Sequence, residues 1–223
     1  MIRAVLFDLD GTLVDSLPEI AGGVNRALAL QGEPPLSDER VAAMIGRGVS
    51  VLADRVAAAY DFPKEKRDRL FQDIVAAWAE TNGREIALFP DAERVLRGLR
   101  ANGLRVALVT NKLRDLTLAF LRDRGMSDWF DAVVAGDDCP HPKPAPDMVL
   151  RALSLLQVEA EEALMVGDSR NDALAARAAG VRAVLLTTGY NEGVSMTDWA
   201  RQEGFDDAHD SLAEALAAYL PKE

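Results

Sequence analysis

Val5-Leu6-Phe7-Asp8-Leu9-Asp10-Gly11-Thr12 is the stretch on which the reading of this chain turns. Its apolar run is partly β-branched and has no helical period, which predicts a short buried strand over residues 3–8. The run stops abruptly at two aspartates, a glycine and a threonine. Three later polar stretches match it as partners: Thr110-Asn111, Lys143, and Gly167-Asp168 through Asp172. The first and last of these directly follow short apolar runs, so Asp8, Thr110 and Asp168 each fall where a predicted strand ends.

Outward from this stretch the pattern changes twice. Ser16-Leu17-Pro18-Glu19 matches a helix start with a capping box, and Pro18 is tolerated in the first turn. Ser37 is expected to cap a second helix that ends before Gly46-Arg47-Gly48. Val49, Leu52, Ala53, Val56, Ala57 and Tyr60 keep helical spacing, as do Leu70, Phe71, Ile74, Val75 and Trp78. Asn82-Gly83 closes that segment. Residues 16–83 are thus expected to be helical without a strand, about seventy residues, the size of a small domain. After Pro90, helices and strands alternate: helix 91–101, strand 104–109, helix 113–124, strand 132–135, a helix through Met148–Leu156, strand 163–166, helix 171–179 and strand 182–186. Ser211-Leu212-Ala213-Glu214 opens a last helix with another capping box. Alternation of this kind predicts a parallel sheet covered on both faces. The expected fold is α/β, a doubly wound Rossmann-like parallel sheet core (residues 1–15 and 84–223) with an inserted α-helical cap domain (residues 16–83). In such sheets ligands bind beyond the carboxyl ends of the strands, at the topological switch.

Length and composition bound the function. The chain has 223 residues, 49% hydrophobic, a formal charge of −11 and a pI near 4.7. So acidic a chain repels nucleic acid and anionic membrane, and an anionic substrate requires a locally cationic site. With one cysteine, Cys139, no intrachain disulfide forms. No run approaches the roughly 18 apolar residues of a membrane span, and Asp8 and Asp10 interrupt the early apolar run that a signal peptide would need. A cytoplasmic protein is expected. Oligomeric state, monomer or homodimer, is not readable.

Each polar stretch has a chemical use. Asp8 and Asp10 are two apart, so in an extended chain both carboxylates point to one side. One can attack phosphorus and form an aspartyl phosphate; the other can protonate the leaving oxygen and then deprotonate water. Thr110 and Asn111 offer a hydroxyl and an adjacent N–H for a phosphoryl oxygen. Lys143 sits in a loop with four prolines among nine residues, 139–147, and is therefore presented rather than free to roam. Asp168 and Asp172 suit a hard, oxygen-preferring cation such as Mg2+. Two like charges about 4 Å apart cost on the order of 4 kcal/mol at an effective dielectric near 20. Several carboxylates in one pocket, with one lysine, therefore imply a divalent cation.

These residues resemble the haloacid dehalogenase-like (HAD) phosphatase superfamily, whose four motifs appear in order over nearly the whole chain. The resemblance implies that Asp8 is the nucleophile and Asp10 the general acid/base. It implies that Asp8, the Asp10 carbonyl and Asp168 hold magnesium, with Asp172 supporting them, and that Leu9, Thr110, Asn111 and Lys143 bind the phosphate. The insertion resembles the small helical cap of the family, with Gly11 or its neighbours as hinge. Asp15-Ser16, Ile45-Gly46-Arg47-Gly48, Val109-Thr110-Asn111-Lys112, Gly136-Asp137-Asp138 and Thr188-Gly189-Tyr190-Asn191 resemble the phosphoglycolate phosphatases within it. Arg47, between two glycines, is then a candidate for a substrate carboxylate. A proline-glycine pair usual before the first core helix is Pro90-Asp91 here, a departure expected to alter a turn and not the chemistry.

The expected partner is a small-molecule phosphate ester, 2-phosphoglycolate first, with a sugar phosphate, a nucleotide or pyrophosphate as alternatives. A phosphomutase of the same superfamily is a rival, separated by isomer formation instead of phosphate release. A phospho-receiver signalling module uses similar residues but needs no helical insertion and is shorter. His141 and His209 are too far apart in sequence for a histidine-rich zinc site. Cys139 has no activating neighbour, Trp78 belongs to an apolar helical stripe, and Trp129, Trp199 and the Gly189-Tyr190-Asn191 turn have no role legible in the sequence.

Overall fold

The computed structural model describes residues 1–81 and 83–220; Asn82, read above as part of a helix stop, lies outside them. At the centre of the sheet is β1 (Ala4–Phe7), wholly buried. Side chains alternate along a strand, so Ala4 and Leu6 enter one hydrophobic cluster and Val5 and Phe7 the other. The chain continues through β2 (Val14–Asp15), α1 (Leu17–Leu30), α2 (Asp38–Ala42), α3 (Gly48–Ala59) and α4 (Lys64–Thr81). It returns through β3 (Ala87–Leu88), α5 (Ala92–Ala101), β4 (Arg105–Val109), α6 (Arg114–Asp123), β5 (Ala132–Val134) and α7 (Asp147–Leu156). Next come β6 (Ala163–Gly167), α8 (Arg170–Ala178), β7 (Arg182–Leu186), α9 (Met196–Glu203), β8 (Ala208–His209) and α10 (Leu212–Ala215).

The main sheet runs β5-β4-β1-β6-β7-β8, every pairing parallel. Chain order reverses at β1, so the switch lies at its carboxyl end, with β4 and β6 on either side. Phe7 is in register with Leu108 of β4 and Val166 of β6. Asp8, Thr110 and Asp168 therefore emerge at the same edge. One face is covered by α7 and α8 through Met148, Val149, Ala152, Ala173 and Ala176. The other is covered by α5 and α6 through Val95, Leu96, Leu99, Phe120 and Leu121. This is the α/β fold expected from the alternating pattern. The inserted helices bury a third cluster of their own, built from Ile20, Val24, Leu28, Leu52, Val56, Leu70, Ile74 and Trp78.

Several local expectations need correction. Ser16 is the N-cap of α1 but makes no side-chain capping bond. Glu19, expected to complete a capping box there, is 3% exposed, and its carboxylate accepts the Gly83 N–H at 3.2 Å. It faces the seam where the insertion ends instead of its own helix start. The carboxylate so buried has a raised pKa, the desolvation outweighing the pull of the Lys112 charge. The last helix is one turn, with Ser211 accepting the Glu214 N–H, and α9 and β8 were not foreseen. Nor were β2 and β3, two residues each, too short for any periodicity to show. They pair antiparallel, Val14 with Leu88 and Asp15 with Ala87, and so clasp the two crossings between core and insertion. No helix among the described residues is long and apolar enough to cross a membrane.

The Pro90-Asp91 departure has a physical content. Asp91 is the N-cap of α5 with φ +69°, a left-handed conformation that favours glycine and that Asp tolerates better than most residues. Its exposed ion pair with Arg94 at 2.9 Å adds little. Asp91→Val is expected to lower the urea-denaturation free energy by about 1–2 kcal/mol, whereas Asp91→Gly, which loses the same ion pair, is tolerated. Equal losses in both variants would show that the backbone angle is not the cause.

Candidate active site

The edge where β1, β4 and β6 end carries Asp8, Thr110 and Asp168, and the proline-stiffened loop before α7 delivers Lys143 between them. Lys143 is 1% exposed, and its ammonium has three partners. It lies 2.9 Å from Asp8 Oδ1 and 2.6 Å from Asp172 Oδ1, and donates to the Val109 carbonyl at 2.7 Å. Burial alone lowers a lysine pKa, but Asp172 and Asp8 outweigh it and push Lys143 up to about 12. The lysine is therefore a fixed positive charge. Asn111 secures its loop: the amide side chain accepts the Lys143 N–H at 2.9 Å and donates to the Lys143 carbonyl at 2.9 Å. The same side chain donates to the Gly46 carbonyl of the insertion at 3.0 Å. Any contribution of Asn111 to a phosphate thus falls to its main chain.

The carboxylates are crowded. Oxygens of Asp8, Asp168 and Asp172 all lie within 4.8 Å of one another. Burial, and then Asp172, push Asp8 up to about 7 against the pull of Lys143. Burial, Asp172 and Asp8 hold Asp168 well above the usual carboxylate range. Asp172 is differently placed. One of its oxygens takes Lys143 and the other accepts from the Ser169 N–H and hydroxyl at 3.1 and 2.6 Å, a capping box that opens α8. Asp8 Oδ1 also accepts the Leu9 N–H at 2.7 Å. Leu9 itself is buried in the core, so in this arrangement its amide is occupied by the neighbouring carboxylate.

Asp168 is held on every side. Thr12 donates its hydroxyl to Oδ1 at 2.6 Å, and the Tyr190 N–H donates to Oδ2 at 2.5 Å. Gly11 and Gly189 leave the space it fills: a Cβ on either would stand 2.2 or 2.1 Å from Asp168 Oδ2. This gives the Gly189-Tyr190-Asn191 turn its job, which the sequence did not disclose. Tyr190 also donates its hydroxyl to Asp15 at 2.5 Å and accepts the Leu17 N–H at 3.1 Å, tying the turn to the start of α1. Asn191 accepts the Arg170 N–H at 2.9 Å.

A cleft between the insertion and the sheet edge is lined by Asp8, Asp10, Thr110, Asn111 and Asp168 on one side and by Ile20, Val49, Leu52 and Trp78 on the other. Trp78, expected as core of the insertion, is both that and a wall of the cleft. Asp10 Oδ1 lies 3.4 Å from the ammonium of Lys112, read in the sequence only as the last residue of the Val109-Thr110-Asn111-Lys112 stretch. Arg47 is set apart. Its neighbours Gly46 and Gly48 line the cleft, while its own guanidinium pairs with Glu192 at 3.2 Å. Glu192 also takes Arg55 at 2.8 Å, Asn171 at 3.0 Å, and Arg170. Burial would raise that carboxyl, but Asn171 and the arginines outweigh it and pull it down to about 2. Nothing in the sequence marked Glu192, because its partners come from both the insertion and the sheet domain. His141 pairs with Asp147 and His209 with Asp207. Cys139 packs half-buried against the sheet core.

Residues 2–180 match the family model described as haloacid dehalogenase-like hydrolase. The chain is 41% identical over 218 residues to the phosphoglycolate phosphatase of Cereibacter sphaeroides, covering 97% of this chain and 98% of that one. It is 37% identical over 214 residues to phosphoglycolate phosphatase 1 of Pseudomonas aeruginosa, covering 94% and 78%. A crystal structure from Haemophilus somnus, described as a predicted phosphoglycolate phosphatase, superposes with a TM-score of 0.89 at 30% identity and 97% coverage of each chain. The ordered carboxylates, the buried lysine and a family match over most of the chain lead to one conclusion: this protein belongs to the haloacid dehalogenase-like hydrolases.

Proposed function

We propose that this phosphatase hydrolyses 2-phosphoglycolate with magnesium, through a phosphoryl group carried on Asp8. The observation that carries the chemistry is the Asp8–Lys143–Asp172 arrangement beside Asp168, buried at the switch point of the sheet. The substrate comes from the relatives, which are named phosphoglycolate phosphatases along nearly the whole chain. Residues 16–83 are read as the cap and residues 1–15 and 84–223 as the catalytic core, the β2–β3 clasp marking their junction.

The donor set fits the metal. The buried Asp168 and Asp172 and the half-buried Asp8 face one lysine, a net of two negative charges when all are ionised, and they are hard oxygen ligands. Asp172 is already paired with the Lys143 ammonium and held by Ser169, whereas the donors to Asp168 are neutral, the Thr12 hydroxyl and the Tyr190 N–H, so Asp172 is read as supporting the site. Asp8, Asp168 and the Asp10 carbonyl would hold the ion. The bound ion supplies charge compensation for the carboxylates and the phosphate. The Leu9 N–H and Lys143 both bind Asp8 Oδ1, which supports reading Oδ2 as the attacking atom. As the new O–P bond forms, the ester oxygen leaves with a proton from Asp10, releasing glycolate. Asp10 then takes a proton from water, whose oxygen attacks phosphorus and frees Asp8. Thr110 and the main chain of Asn111 hold phosphoryl oxygens, and Lys143 balances their charge. Closure of the apolar cap walls over the cleft excludes water until the leaving group has gone.

A phosphate-release screen with magnesium over phosphoglycolate, sugar phosphates, nucleotides and pyrophosphate tests the substrate; phosphoglycolate is expected to have the highest kcat/KM, and a clear winner elsewhere rejects it. Asp8→Asn is expected to lower kcat by at least about 10³-fold while leaving the fold intact by circular dichroism. Retention of more than a tenth of the activity excludes Asp8 as nucleophile. The raised carboxyls predict a pH signature. In the metal-free protein Asp8 and Asp168 hold protons that the unfolded chain releases near pH 4. This contribution to stability is complete below about pH 4 and is lost as pH rises through about 7. Magnesium competes with those protons, so the rise in Tm on adding it is expected to be larger at pH 8 than at pH 5. An equal rise at both would place the ion elsewhere.

A further inference from the structure

A phosphate ester whose leaving group is itself anionic needs a second cation, separate from the one that serves the phosphate. Four cationic side chains near the cleft are already engaged. Lys143 is held by Asp8, Asp172 and the Val109 carbonyl. Arg47, Arg55 and Arg170 converge on Glu192. Among the described residues lining the cleft, Lys112 alone is cationic. Its side chain is 6% exposed, and its ammonium lies 3.4 Å from Asp10 Oδ1 and 5.7 Å from the centre of the Trp78 ring. It is thus a charge under the apolar cap wall with one long ion pair, its pull reaching the buried Glu19 carboxyl as well, where exclusion of water strengthens its attraction for any anion it meets.

The position relative to Asp10 sets what it meets. Asp10 is the residue that protonates the ester oxygen, so that oxygen arrives at its carboxyl group. In a 2-phosphooxy acid the carboxylate is one carbon beyond the ester oxygen. A group of that length, anchored at Asp10, reaches the ammonium beside it. We propose that Lys112 is the residue that selects a carboxylate on the leaving group, giving up its long contact with Asp10 for a charge-assisted hydrogen bond to the substrate. The assignment rests on the phosphoglycolate reading above and refines it: the substrate class is short phosphate esters with a carboxylate next to the ester carbon.

The test is a ratio. Wild type, Lys112→Met and Arg47→Ala are compared for kcat/KM on phosphoglycolate and on ethyl phosphate, which has a methyl in place of the carboxylate. Loss of a hydrogen bond to a charged group is expected to reduce the phosphoglycolate-to-ethyl-phosphate ratio by about 10- to 100-fold in Lys112→Met. Lys112→Arg, which keeps the charge, is expected to retain a higher ratio than Lys112→Met. If Lys112→Met does not fold, Lys112→Gln reads the same ratio with a polar but uncharged end kept. An unchanged ratio, with both substrates losing equally, overturns the proposal and confines Lys112 to the support of Asp10. A ratio that collapses in Arg47→Ala and survives in Lys112→Met also overturns it. Failure of the substrate reading looks different: the wild-type protein itself would then show no preference for phosphoglycolate over ethyl phosphate.

Discussion

The ammonium of Lys143 is the charge on which the catalytic edge depends. Withdrawing a lysine from water is costly, and so is withdrawing the carboxylates around it. Here the ion is buried with Asp8 at 2.9 Å, Asp172 at 2.6 Å and a main-chain carbonyl as third acceptor. Every proton of the ammonium has a partner. That satisfaction lets one positive charge persist beneath the sheet edge, and it fixes the direction in which Asp8 faces. Without it, three carboxylates within 4.8 Å of one another would have no protein cation among them.

The arrangement is still incomplete in charge, and the raised carboxyls of Asp8 and Asp168 express this. The protein has placed more acid than it neutralises. Three carboxylate oxygens so close together could hold a metal ion. The surrounding structure holds the acids in position despite their repulsion. Thr12, the Tyr190 N–H and two glycines that admit no Cβ confine Asp168, while Ser169 confines Asp172. These restraints come from three separate segments, so the geometry does not rely on any one loop.

The insertion meets this edge through polar contacts that differ in kind from its own apolar core. Asn111 reaches the Gly46 carbonyl, Tyr190 reaches Asp15 and Leu17, and Glu192 gathers arginines from both sides. Ion pairs and single hydrogen bonds at a seam break and re-form more readily than a packed apolar interface. Together with the two-residue clasp of β2 and β3, they make up the junction between the insertion and the sheet.

Much of this was legible in the chain itself. The abrupt end of an apolar run at Asp8-Leu9-Asp10-Gly11-Thr12, and the later strand ends at Thr110 and Asp168, identified the sheet and its functional edge. Strand ends are set by local hydrophobic pattern, and a parallel sheet brings such ends to one side. Lys143 was legible through the prolines that stiffen its loop. What only the tertiary structure decided is how side chains from distant segments share charge. Glu19 left its expected capping box for Gly83, Arg47 went to Glu192, Lys112 came to Asp10, and the Gly189-Tyr190-Asn191 turn became a wall for Asp168. Electrostatic and hydrogen-bond partners are chosen by distance in space, over separations of up to 175 residues in sequence, and no local pattern carries that information.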